Sequence, residues 1–223
     1  MGFDITFHPV SRDDLQRFVF DVFNEPSLAE SRATELSADT NAQSQILELY
    51  GQFPQWAADG EAPFEATFAV ACAAVAAWRH PYWYARGQAL SFLATEEEAI
   101  GALLTPLPRI AQGRFRELAD ASGGLITENY TASGIIRPDK LETLTTQLTQ
   151  LAEPRKGFFG TKPAPLPKYF AGDGLESLQA AVRYAQSKRL GLMEAADLVV
   201  PLTQEFVSNP DNLRAHYLKR MDP

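Results

Sequence analysis

Hydrophobic and polar positions alternate at the start of the chain. Phe3, Ile5 and Phe7 interleave with Asp4, Thr6 and His8, the period of a half-buried strand, with His8-Pro9 as its expected end. Ser11 stands three residues before Asp14, a capping-box-like start. Leu15, Phe18, Val19, Val22 and Phe23 then form the apolar stripe of a helix running to about Phe23. Asn24-Glu25-Pro26 breaks it. Residues 27–45 are polar and weakly periodic, a helical or irregular surface segment. Ile46, Leu47, Leu49, Tyr50 and Phe53 restore a helical face ahead of Pro54.

The stretch Phe64 to Trp78 is alanine-rich and apolar on every side, the signature of a central core helix or a membrane span. Crossing a bilayer takes about 20 apolar residues. This run is shorter and bracketed by Glu65 and Arg79, so it is assigned as the buried central helix. Pro81 stops it. Ala89 to Ala94 reads as a strand, and Thr95 with Glu98 reads as a capping box. Glu96, Glu97 and Glu98 suit the positive end of a helix dipole better than a metal site. Pro106 and Pro108 close that helix, and Phe115 to Ala121 forms a short one ended by Gly123-Gly124.

Leu125 to Ile136 supplies one or two strands with a turn at Ser133-Gly134. Pro138 fits the first turn of a helix to Leu151, striped by Leu141, Leu144, Leu148 and Leu151. Glu153 to Asp173 holds three glycines and four prolines and reads as a mobile or contact loop. Gly172-Asp173-Gly174 leads into a helix to about Leu190, with Gly191 as its C-terminal stop. Met193 to Phe206 is apolar but interrupted by Pro201, and Asn209-Pro210 opens a last helix ending near Arg220. The expected architecture is α+β, mainly helical with a small β-sheet, in one globular domain over 1–223.

Composition narrows the function more than the fold. The 223 residues are 45% hydrophobic and 22% charged, an ordinary globular balance. Cys72 is the only cysteine, so no intrachain disulfide and no cysteine-based zinc site is expected. Met1 to Val10 lacks the pattern of a secretory signal, and a soluble cytoplasmic protein is the expectation. The formal charge of −8 is uneven: Met1 to Glu65 carries 12 acidic against 3 basic residues, a net of −9, and the first lysine is Lys140. Such a surface repels a phosphate backbone and attracts a basic protein.

Chemistry-bearing motifs are sparse. Gly157-Phe158-Phe159-Gly160-Thr161-Lys162 has the vocabulary of a phosphate loop with the wrong spacing, and no G-x-S-x-G elbow occurs. Among His8, His80 and His216 no pair stands four apart to share a helical face. Cys72 lies in an apolar helix, where burial raises a thiol pKa. Glu194 with Asp197 and Asp13 with Asp14 read as helix caps rather than an acid–base pair. Trp78, Arg79, His80, Tyr82, Trp83, Tyr84 and Arg86 make the densest aromatic-polar group, either core with a polar rim or a contact surface. Arg155, Lys156, Phe158, Phe159, Lys162, Lys168 and Tyr169 interleave cations with aromatics. No cofactor and no metal is expected.

The opening Met1-Gly2-Phe3-Asp4-Ile5-Thr6-Phe7-His8-Pro9, on a small acidic chain, is similar to bacterial immunity proteins of type VI secretion effector–immunity pairs. The resemblance implies a non-enzymatic protein that binds a cognate antibacterial toxin and occludes its active or substrate-binding surface. A nuclease toxin's basic cleft would be the natural target, with no nucleic acid or membrane as partner. Contact residues expected from the sequence are Asp13, Asp14, Asp21, Glu25, Trp83, Tyr84, Phe158 and Phe159. Two alternatives stand beside this: a small-molecule enzyme with a site assembled around His80 and Tyr84, and a regulatory adaptor using the 153–173 loop.

Overall fold

The structure, a computed structural model, describes residues 3–38, 40–54, 63–106, 124–126, 129, 131–157 and 160–199; the side chains at 41–42, 63–70, 155–157, 160 and 162 are not described. The helices expected at Phe115 to Ala121 and Asn209 to Arg220 lie outside these residues, as do Phe158 and Phe159. The α+β expectation holds. In chain order the first elements are β1 (Asp4–Val10), α1 (Arg12–Leu15), α2 (Asp21–Asn24), α3 (Ala29–Leu36), α4 (Thr40–Gly51) and α5 (Pro63–Arg79). Next come β2 (Trp83–Arg86), α6 (Leu90–Ala94), α7 (Glu98–Gly101), β3 (Leu104–Thr105), β4 (Ile135–Ile136) and α8 (Leu141–Leu151). The last are β5 (Arg155–Gly157), β6 (Gly160–Lys162), α9 (Leu166–Tyr169), α10 (Asp173–Lys188) and β7 (Gly191–Ala196).

Five strands form an antiparallel sheet in the order β2-β1-β7-β4-β3. Side chains alternate across a strand, so β1 sends Ile5 and Phe7 to one face and Thr6, His8 and Val10 to the other. Ile5 and Phe7 join a core with Leu90, Leu144, Leu178 and Leu192. The opposite core gathers Phe18, Phe20, Tyr50, Phe53 and residues Ala71 to Ala77 against Val10 and Met193. Helices therefore cover both faces of the sheet. The small side chains of α5 let its backbone approach the sheet closely, and Ala71–Ala77 are all buried, as expected of the central helix.

Several sequence expectations are corrected. β1 does not end at His8-Pro9 but runs to Val10. The Gly87 N–H donates to Phe3 O, so odd-numbered residues of β1 turn their N–H toward β2, which stops at Trp83. Pro9 therefore lacks its N–H on the side where no strand remains, the position that tolerates proline. Ala89 to Ala94 is not a strand: it supplies helix α6. Thr95 is not an N-cap but the C-cap of α6, its hydroxyl donating back to Phe92 O, and Glu97 stands at the start of α7.

Gly191 is not a helix stop either. Arg189, at φ 58°, closes α10, and Gly191 begins β7, where an added Cβ would meet Ile136 O at 2.8 Å. The 153–173 segment is more ordered than a bare loop: β5 pairs with β6, and Leu166 and Phe170 are buried. Between α1 and α2 the helix widens into a π turn over Gln16–Phe20. There the Tyr50 hydroxyl donates to Phe18 O at 2.7 Å, tying α4 to the widened turn.

Candidate functional site: a groove between β2 and α10

β2 is the outer strand of the sheet beside β1, and α10 packs along it. Between them runs a groove of about 740 Å³ whose walls include Trp83, Tyr84 and Arg86 from β2 and Glu176, Ala180 and Arg183 from α10. Gln88 closes one end. Its Oε1 accepts the Ala171 N–H at 2.8 Å, and a side chain at Gly174 would overlap its amide. Gly172 adopts φ 51°, where a Cβ is strained. The Gly-Asp-Gly run thus serves a backbone turn and a close approach as well as the helix start.

At the other end Trp83 packs on Tyr184, with ring centroids 5.6 Å apart. Tyr184 also meets His80 edge-on at 6.3 Å. His80 Nε2 in turn lies 3.7 Å from Asp14 Oδ2, and Arg79 Nε lies 3.4 Å from Asp14 Oδ1. Burial works against an ionised Asp14, but His80 and Arg79 outweigh it and hold the carboxyl below the usual range. A chain of contacts therefore links α1 to the mouth of the groove.

Of the residues expected from the sequence, Trp83 and Tyr84 line the groove. Trp83 is largely buried at 7% exposure, and the Tyr84 hydroxyl donates to Asp4 Oδ1 at 3.0 Å. Asp14 is already engaged and is no free contact. Asp13 is exposed and helps line a smaller recess with Arg12, Arg137 and Arg189. Asp21 accepts from Gln16 Nε2 at 2.7 Å, and Glu25 accepts from Ser27 Oγ at 3.2 Å. Neither lines the groove. Phe158 and Phe159 lie outside the described residues. The pair named for an enzyme site does not converge: Tyr84 is among the residues lining the groove and bonds Asp4, whereas His80 stands outside that lining, against Asp14.

The sequence reading missed Gln88, Asp173, Glu176 and Arg183. Their signal was present but unspecific: Glu176, Ala180 and Arg183 recur at i, i+4 and i+7, a polar face opposite buried Leu178, Ala181 and Ala185. Such a face usually means only a solvated helix.

The aromatic cluster at 78–86 divides between layers. Tyr82 is wholly buried and stacks on His8 at 5.3 Å, whereas Tyr84 and Arg86 reach the rim. His8 Nε2 and Thr6 Oγ1 are hydrogen-bonded at 2.8 Å, and burial lowers the His8 pKa to about 3. Cys72 is buried, and burial raises its thiol pKa, so it is a poor nucleophile.

Glu194 is not on a helix surface, as expected from its spacing to Asp197, but buried in β7. It does cap a helix, across the sheet: its carboxylate accepts from the Leu90 and Ser91 N–H groups and the Ser91 hydroxyl at the start of α6. Asp197 accepts from the Asp4 N–H. Among the described residues no group of three or more His, Cys, Asp or Glu side chains is placed to hold a metal ion, and no helix is long and apolar enough to cross a membrane.

No family model, no curated protein and no solved structure matches the chain.

Proposed function

We propose that the protein is an immunity-type inhibitor, acting in the cytoplasm, that binds a cognate toxin and covers its active or substrate-binding surface. The observation that carries this reading is the β2–α10 groove, along which half-buried Tyr84 and exposed Arg86 and Arg183 are gathered, with Trp83 largely buried beside them. Tryptophan, tyrosine and arginine are the side chains that dominate interface hot spots. The acidic first third adds long-range attraction for a basic partner. A toxin with a basic cleft, as a nuclease has, fits both features: the acidic helices steer the encounter and the groove supplies the contact.

The test is a tagged pull-down from the native cell at low and moderate salt, followed by co-expression of the recovered partner. A stoichiometric partner whose toxicity the protein relieves supports the reading. Tyr84→Ala combined with Arg183→Glu should then abolish the growth rescue, because truncating central hot-spot residues costs about 2 kcal/mol or more each. Recovery of no partner, from cells shown to express candidate toxins, would turn the reading toward a small-molecule enzyme.

A further inference from the structure

We infer that the recess lined by Arg12, Arg137 and Arg189 binds a small phosphorylated molecule, its phosphoryl group held by the three guanidinium groups. The inference goes beyond the toxin-binding reading and does not rest on it.

The sheet brings these arginines together. Val10 pairs with Gly191, and Ile136 pairs with Leu192, so β1 and β4 end where β7 begins. Arg12 follows Val10 by two positions, Arg189 precedes Gly191 by two, and Arg137 directly follows Ile136. Three neighbouring strands therefore each deliver one arginine to the same end of the sheet. There the arginines line a recess of about 420 Å³, with Asp13, Thr105, Pro138 and Asp139 among its other walls. Small-molecule sites span about 300–1,000 Å³, so the space exceeds what a bare anion needs.

Charge selects the ligand. On a chain of net −8, this lining holds three arginines against two aspartates. Arg137 grips Asp139 at two points, Nε to Oδ1 at 2.9 Å and Nη2 to Oδ2 at 2.5 Å. That pair cancels in charge without exhausting Arg137, because a guanidinium has five N–H donors. Arg12 and Arg189 then outweigh Asp13. Arg189 enters none of the ion pairs among the described residues. A carboxylate offers two coplanar oxygens and is satisfied by one guanidinium fork, as Asp139 is here. A phosphoryl group spreads three oxygens and up to two charges, which suits cations arriving from three strands. Half-buried Thr105 and exposed Pro138 remain for the organic part.

The backbone of Arg189 is an independent observation. It sits at φ 58°, the left-handed region where glycine is the usual residue closing a helix. An arginine there costs stability, and strain of this kind concentrates at ligand sites. A guanidinium on the recess is what the position gains in return.

The test is phenyl phosphate, titrated into the isotope-labelled full chain at constant ionic strength and followed by amide NMR shifts. Saturable changes are expected at 10–13, 105, 135–139 and 189–191. Benzoate, the matching carboxylate, should bind about tenfold more weakly. Inorganic phosphate should shift the same amides but bind more weakly than phenyl phosphate, because it leaves Thr105 and Pro138 untouched. Arg189→Gly keeps the left-handed turn and removes the guanidinium. It should weaken phenyl phosphate binding at least about tenfold, the worth of a charge-assisted hydrogen bond. Its thermal midpoint should not fall, so lost binding will not be lost folding. Lys188→Gln makes the same change of net charge one residue away, outside the lining, and should leave the affinity nearly unchanged, as a screened surface charge does. The inference is overturned by shifts that never saturate, by benzoate or inorganic phosphate binding as tightly as phenyl phosphate, by Arg189→Gly binding as wild type does, or by Lys188→Gln weakening binding as much as Arg189→Gly.

Discussion

Glu194 and His8 lie on opposite faces of the same sheet, both buried, and they respond to pH in opposite senses. Burial pushes Glu194 up to about 7 from an ordinary 4.5, against the pull of its hydrogen bonds to Leu90 and Ser91. A carboxyl raised on folding adds stability below its unfolded pKa and loses that contribution as pH climbs through the folded value. The Glu194 contribution is therefore present below about 4.5 and gone above about 7. His8 is lowered from 6.5 to about 3, so its contribution is present above 6.5 and lost as pH falls toward 3. Urea unfolding of wild type and Glu194→Gln at pH 5 and pH 7.5 separates the two groups. The advantage of wild type over the variant should shrink by roughly 1–3 kcal/mol across that interval, since each tenfold change in proton affinity is worth about 1.4 kcal/mol. An identical pH slope in both proteins would show that Glu194 does not titrate there. None of this was legible in the sequence, because Glu194 acquires both its burial and its donors from α6, about a hundred positions away.

Among the elements, those with a clear period were legible, and the central strand buried on both faces was not. α8 is the plain case: Leu141, Leu144, Leu148 and Leu151 are all buried as their spacing requires. The start of α1 is another, since Ser11 Oγ accepts from the N–H groups of Asp13 and Asp14. Ser11→Ala should cost about 1 kcal/mol in chemical denaturation, the usual worth of an N-cap. β7, by contrast, is Gly-Leu-Met-Glu-Ala-Ala and buried at every position. With helices on both faces it has no polar side to alternate with, and a period-2 signal never forms. Arg189 was opaque for a different reason: it holds a left-handed backbone that favours glycine. Arg189→Gly should raise stability by about 1 kcal/mol, relieving the left-handed Cβ contact. An unchanged denaturation midpoint would mean that Arg189 offsets this strain elsewhere.

For the molecule as a whole, the acidic first third is less a free field than its count suggests. Asp14 is bound to Arg79 and His80, and Glu35 to Arg17 and Arg32. Under the proposed function, the steering would fall to the remainder, including Asp13 and Glu25. Reversing Asp13, Asp21 and Glu25 to lysine, with Asp14 kept, should slow association with the proposed partner at least several-fold at low salt and flatten its salt dependence. It should leave dissociation nearly unchanged. Stopped-flow association across a salt series reads this directly, and rates equal to wild type would remove the steering role.

The candidate site was half legible. Trp83 and Tyr84 stood out as a dense aromatic run, but their counterparts on α10 look like any solvated helix face until β2 is laid beside it. Local pattern alone determined the α+β class, the buried alanine-rich helix, the capped start of α1 and the leucine stripe of α8, because neighbours along the chain impose period and end chemistry. Tertiary structure decided the position of β7 at the sheet centre, the Glu194 cap on α6 and the pairing of β2 with α10 across the groove. Those contacts join residues such as Ile5 with Ala196 and Leu90 with Glu194, far apart in the chain, whose meeting depends on the whole sheet and which leave no period within any one segment.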